Sequence, residues 1–176
     1  MAGSSGEESE ADLWVTWEDY HRAIEALALM VHRSAWQFDQ VLCLARGGLR
    51  VGDVLSRLFE KPLAILSTSS YREAAGTVRG TLDIAQHISI TQGTFGGRVL
   101  LVDDLVDSGV TLKAVAEHLK GNYPAVTDLR TAVLWRKAHS SVSTDYAFRV
   151  LDGNPWIHQP FEIYDGLGLA ALAKRH

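Results

Sequence analysis

Three acids, Asp103, Asp104 and Asp107, follow the apolar run from Val99 to Val102 and lead straight into Ser108, Gly109, Val110 and Thr111. Carboxylates are costly to bury, and two side by side repel each other. A strand that ends in such a pair therefore marks a place where something else compensates. The turn that follows has the parts of an anion site: backbone N–H groups at the start of a helix, the hydroxyls of Ser108 and Thr111, and a glycine, Gly109, that lets the backbone approach a ligand. Carboxylates would repel a neighbouring phosphate unless they bind another group, and ribose hydroxyls or a Mg²⁺ shell are the natural candidates. The combination suits a phosphorylated ribose held with a metal. No GxxxxGK[ST] occurs, so this is not a Walker loop. Spacing alone also leaves open an Asp-rich turn that merely caps a helix.

The surrounding pattern supplies elements to carry these residues. Thr16 with Asp19 forms a capping-box-like start, and Tyr20, Ile24, Leu27 and Val31 recur at helical spacing, predicting a first helix within 16–36. QVLCLA (40–45) reads as a short buried strand that Arg46, Gly47 and Gly48 break. Val51, Val54, Leu55 and Leu58 mark a second helix, and PLAILS (62–67) another strand. Residues 68–97 are less regular; within them TLDIAQHISI suits a strand or an extended ribbon, and a stretch this long is usually functional. RVLLVDD (98–104), LRTAVLW (129–135) and YAFRVL (146–151) read as strands. Leu112, Val115, Ala116 and Leu119 give a third helix, and the tail after Tyr164 ends in a short one. Strands alternating with helices predict an α/β fold with an open, mostly parallel twisted sheet. In such sheets ligands bind beyond the carboxyl ends of strands. That puts Arg46, Gly47 and Gly48 on the same rim as the acids.

Composition narrows the function classes. A chain of 176 residues, 47% hydrophobic and 22% charged, fits one domain with a real core. The net charge of −4 speaks against a general nucleic-acid binder. The single cysteine, Cys43, sits in an apolar run and reads as a buried thiol. The opening MAGSSGEESEAD has neither a basic nor an apolar region of a signal peptide, so residues 1–12 read as a disordered acidic tail before a domain spanning 13–176. No apolar stretch reaches about 18 residues, so no membrane span is expected and a cytoplasmic setting fits best. GLGLAA (166–171) matches G-x-G-x-x-A, but no βαβ unit follows it, so it is not a dinucleotide site.

VLLVDDLVDSGVT resembles the phosphoribosyl diphosphate (PRPP) motif of type I phosphoribosyltransferases. TWEDYHRAIEALA, ARGGLRVGDVLS, SSYRE, LWRKAH and PWIHQPFE occur in the order seen in bacterial xanthine-guanine phosphoribosyltransferases, and the likeness spans roughly residues 14–165. It implies that family's fold, with a small hood beside the main sheet. It also implies transfer of a 5-phosphoribosyl group from PRPP to guanine, xanthine or hypoxanthine, with release of pyrophosphate and dependence on Mg²⁺. Asp103 and Asp104 would then bind the ribose hydroxyls, directly or through the metal. Residues 107–111 would hold the 5′-phosphate, and Asp107 would be the general base near purine N7. Arg46, Gly47 and Gly48 resemble the pyrophosphate loop. Ser70, Tyr71 and Arg72 resemble the start of a lid that closes over PRPP. Lys137 would donate to the purine O6, Trp156 would stack on the base, and Ile157 would read its edge through the backbone. His158 departs from the acidic residue expected at that place. The likeness also implies a homodimer or homotetramer. Two other readings remain: a phosphoribosyltransferase for another acceptor base, and a PRPP- or nucleotide-sensing regulator on the same fold.

Overall fold

The computed structural model describes residues 12–70 and 82–175, with Ser70 described through its backbone alone. In chain order the elements are β1 (Leu13–Trp14), α1 (Trp17–Arg33), β2 (Gln40–Ala45), α2 (Leu49–Phe59), β3 (Leu63–Ser70), β4 (Leu82–Ile84), β5 (Ser89–Ile90), β6 (Gly97–Val106), α3 (Val110–Asn122), β7 (Val126–Lys137), β8 (Tyr146–Leu151), β9 (Ile157–His158), α4 (Ile163–Gly166) and α5 (Leu169–Leu172). The main sheet runs β4-β3-β2-β6-β7-β8, with β5 also pairing β3. Strands β3, β2, β6, β7 and β8 are parallel neighbours; β4 and β5 fold back antiparallel on β3. The expected open, mostly parallel sheet is therefore the one that forms.

Local chemistry sets the helices. The Thr16 hydroxyl accepts from the Asp19 backbone N–H at 3.1 Å and donates to the Asp19 carboxylate at 2.6 Å, so α1 starts where the capping pattern places it. It ends at Arg33, earlier than the expected stretch, because Ala35 takes a left-handed φ of 57°. Tyr20, Ile24, Leu27 and Val31 form its buried face.

Period-two alternation along β6 splits the core in two. Leu100 and Val102 pack with α1 and α2, whereas Val99 and Leu101 pack with Leu112, Val115 and Leu119 of α3. Cys43 is buried in β2, and burial pushes its thiol up to about 12, so it stays a neutral packing group.

The connectivity locates the site. From β2 the chain crosses by α2 to β3 on one side; from β6 it crosses by α3 to β7 on the other. The winding direction reverses between β2 and β6, and a crevice opens at the carboxyl ends of strands flanking such a reversal. A small second sheet, β1 paired in parallel with β9, stands apart from the main one. This is the hood, and it was not visible as strands in the sequence.

Leu100 has no exposed surface and lies on the central strand. Leu100→Ala is expected to destabilise the protein by about 2–5 kcal/mol. Urea unfolding should show this as a lower midpoint with an unchanged slope.

Candidate functional site

Two strand ends frame the crevice. After β2, the Ala45–Arg46 peptide is cis and the chain turns through Gly47 and Gly48 into α2. A Cβ on Gly47 would lie 2.7 Å from Asp104 Cγ, and one on Gly48 would lie 2.6 Å from the Val102 carbonyl oxygen. Only glycines let this turn come so close to β6. Arg46 extends into solvent, with its guanidinium 3.9 Å from Asp165. It lines a cavity of about 390 Å³ with Gly47, Arg50, Phe161, Tyr164 and Asp165. Arg50 was not singled out from the sequence; its guanidinium lies 4.2 Å over the Phe161 ring.

Strand β6 runs longer than the sequence pattern suggests. It continues to Val106, pairing Asp103 with Val133 and Leu105 with Trp135. Asp103 and Asp104 therefore sit within the last turns of a paired strand rather than beyond its end, because β7 also extends to Lys137 and keeps the ladder going. The two side chains form the floor of a cavity of about 220 Å³ shared with Ala45, Arg46, Gly47, Thr68 and Thr111. Burial first, and then the Asp104 charge, push the Asp103 carboxyl well above the usual carboxylate range. Asp104 accepts from Gln159 Nε2 at 2.7 Å. The other end of that amide, Gln159 Oε1, and the Tyr20 hydroxyl are both buried without a hydrogen-bond partner. Burial, and next the Asp104 charge, raise the Tyr20 phenol. Neither residue was anticipated; the only cue to Gln159 was a polar side chain among apolar neighbours in PWIHQPFE.

The turn after β6 forms a separate cup of about 150 Å³, lined by Asp103 and residues 105–112. Gly109 takes φ +85° as it enters α3, and a Cβ there would lie 2.5 Å from the Val142 side chain. Val110 is exposed, so its contribution to the cup is its backbone. Asp107 stands at the mouth. Lys137 Nζ lies 3.6 Å from Asp107 Oδ1 and donates to Asn154 Oδ1. The lysine is buried, not a solvated residue after a strand. His139 Nε2 lies 2.9 Å from the same Asp107 Oδ1.

The hood brings in the remaining residues. Trp156 is 56% exposed, with its ring open to one side. Ile157 is buried in the core, so its side chain cannot face a ligand and only its backbone remains available. The Trp156 and His158 carbonyls accept from Leu13 and Val15 N–H, at 2.8 and 3.0 Å, so the Ile157 N–H and C=O point away from β1. His158 is stacked on Trp14, with ring centroids 3.7 Å apart, and its Nε2 lies 2.9 Å from the Asp12 carboxylate. Asp12, counted with the tail on sequence grounds, thus makes a contact within the hood. Tyr71, Arg72 and the Ser70 side chain lie outside the described residues. No helix among the described residues is long and apolar enough to cross a membrane.

This arrangement is shared with proteins of known class. Residues 16–165 match the phosphoribosyl transferase domain family. A xanthine-guanine phosphoribosyltransferase of Idiomarina loihiensis is 28% identical over 160 residues, covering 90% of this chain and 92% of that protein. One from Gluconobacter oxydans is 29% identical over 149 residues, covering 84% and 83%. The purine phosphoribosyltransferase structure from Pyrococcus horikoshii superposes with a TM-score of 0.69 at 30% identity, covering 85% of this chain and 93% of that one. The chain therefore belongs to the phosphoribosyl transferase domain family and is an enzyme of that class.

The raised Asp103 carboxyl has a consequence for stability. Its proton affinity is higher in the folded than in the unfolded chain, so between the unfolded and folded pKa the native state binds more protons and stability falls as pH rises. Asp103→Asn removes this penalty. The variant should melt above the wild type at neutral pH, and the gain should shrink as the pH falls through the raised folded pKa and be gone below about 4, where the carboxyl is protonated in both states. Thermal melts across pH check this.

Proposed function

We propose that this protein transfers the 5-phosphoribosyl group of PRPP to a 6-oxopurine (guanine, xanthine or hypoxanthine) with release of pyrophosphate. The observation that carries this reading is the buried Lys137 ammonium lying 3.6 Å from the Asp107 carboxylate at the crevice mouth. A 6-oxopurine presents an acceptor, O6, next to an N7 that can carry a proton. A donor beside an acceptor on the protein matches that edge, and lysine can only donate. The relatives named xanthine-guanine and purine phosphoribosyltransferases support the same class of acceptor.

The remaining parts fall into place around that edge. Residues 107–111 and the α3 N-terminus cradle the 5′-phosphate. Asp103 and Asp104 face the ribose hydroxyls. Arg46, Gly47 and Gly48 meet the pyrophosphate. Trp156 stacks on the base, and the Ile157 backbone reads its far edge. As purine N9 bonds to C1′, the C1′–O bond to pyrophosphate breaks, the electron pair leaves with pyrophosphate, and Asp107 takes the N7 proton. Holding both partners in one crevice supplies most of the advantage, because two bound reactants need no further ordering.

The donor set also fits Mg²⁺. Two adjacent hard carboxylates repel, and the burial and Asp104 charge that raise the Asp103 carboxyl are relieved by a positive partner, which supports this reading. Among the described residues no group of three or more His, Cys, Asp or Glu could hold a metal alone. Bound there, Mg²⁺ would neutralise charge on the diphosphate; Asp103 and Asp104 are the residues that would hold it.

Incubation with Mg²⁺, PRPP and a panel of bases should form nucleotide with guanine, xanthine or hypoxanthine and not with adenine, whose 6-amino group would face the ammonium. Lys137→Ala should lower kcat/KM for the preferred base by about 10- to 100-fold while leaving PRPP affinity near the wild-type value. Use of adenine as readily as guanine would favour another acceptor, and PRPP binding without turnover of any base would favour a sensing role.

A further inference from the structure

We infer that His139 is a positioning residue for Asp107, holding one carboxylate oxygen so that the other meets the purine N7 proton. The inference rests on Asp107 being the group that takes that proton, and nothing in the PRPP-type motif itself calls for a histidine at this place.

The contact is built rather than incidental. The segment carrying His139 is fastened to the turn carrying Asp107 at several points. Ser141 donates to the Ser108 carbonyl through both its backbone N–H, at 3.0 Å, and its hydroxyl, at 2.8 Å. Val142 and Ser140 close over Gly109, where a Cβ would come within 2.5 and 2.8 Å of them. Ser140 N–H is itself bonded to the Lys137 carbonyl at 3.0 Å, which fixes the step from β7 into this segment. His139 is thereby registered against Asp107.

An ionised carboxylate only accepts, so the 2.9 Å contact has imidazole Nε2–H donating to Asp107 Oδ1. Lys137, at 3.6 Å, is too far to make that bond and is committed to Asn154 and to the base. Oδ1 is thus taken, and Oδ2 is left for the substrate. A free carboxylate would rotate and share its two oxygens; a pinned one presents a single oxygen in a fixed direction, which a proton transfer in the transition state requires.

The test compares His139→Ala and His139→Gln by kcat, KM for PRPP and thermal stability. His139→Ala should lower kcat about 10-fold, a fraction of what a positioned base contributes, with KM for PRPP within about twofold. Glutamine places an amide N–H donor at about the reach of the imidazole Nε2. His139→Gln should therefore recover most of kcat. A merely structural role would lower the melting temperature of both variants and give no selective recovery of kcat in His139→Gln. Wild-type kcat in His139→Ala, or no recovery in a His139→Gln protein of wild-type melting temperature, would overturn the inference while leaving the transferase reading intact. Full turnover in Asp107→Asn would instead overturn the base assignment, and this inference with it.

Discussion

The rim of the sheet depends on how closely the turn after β2 is pressed onto β6. Parallel pairing of β2 with β6 brings their carboxyl ends side by side, and the two helices that follow must leave in opposite directions. The turn through Gly47 and Gly48 therefore crosses directly over the backbone of Val102 and Asp103 and the carboxylate of Asp104. That approach leaves no room for a side chain. It also explains why the backbone, not a side chain, faces the crevice at this turn: where no Cβ fits, N–H groups are what a ligand meets. The same crowding fixes Asp104 from one side while Gln159 fixes it from the other.

The acid pair sits badly with folding and well with function. Asp103 is driven toward its neutral form by burial and by Asp104. A site that only needed a capped helix would not keep two carboxylates on a strand floor beneath an orphaned tyrosine hydroxyl. Local unfavourable electrostatics of this kind is what a site that binds a cation or several hydroxyls looks like before they arrive. Across the crevice the charges are arranged differently: Asp107 has His139 bonded to one oxygen and the Lys137 ammonium at ion-pair distance from the same oxygen. A carboxylate pair and a single carboxylate three residues further on are thus set in opposite electrostatic surroundings.

Much of the frame was legible in the sequence because it depends on period. The unbroken apolar run of β6, the 3.6-residue stripe of α1 and the Thr16 cap each set an element locally, and each formed near its expected place. The motif residues on β6 and its turn were legible through their resemblance to the PRPP motif; of them only Gly109, at φ +85°, is called for by the backbone itself. What was not legible came from contacts between distant segments. The extension of β6 through both acids depends on β7 continuing beside it to Lys137. The burial of Lys137 depends on Asn154, and the roles of Gln159 and His139 on which turn each faces. β1 and β9 are two-residue strands with no periodic signal, and they exist only through each other.

That last pairing shapes how the Trp156 segment is held. The segment with Trp156 and Ile157 hangs not on the main sheet but on Leu13 and Val15, through two backbone hydrogen bonds. α1 begins two residues further on, and its Tyr20 ring packs edge-on against Phe161 just beyond the same segment. The start of the chain and the stretch after β8 therefore clasp each other. His158 fits this picture: stacked on Trp14 and bonded to Asp12, it braces the hood rather than facing the crevice. A histidine in this position gives up whatever an acid there would offer a ligand and gains a planar face for packing. The acid-bearing rim is built into the central strands. The Trp156 segment is held by a clasp of few bonds, and changes there disturb the core least.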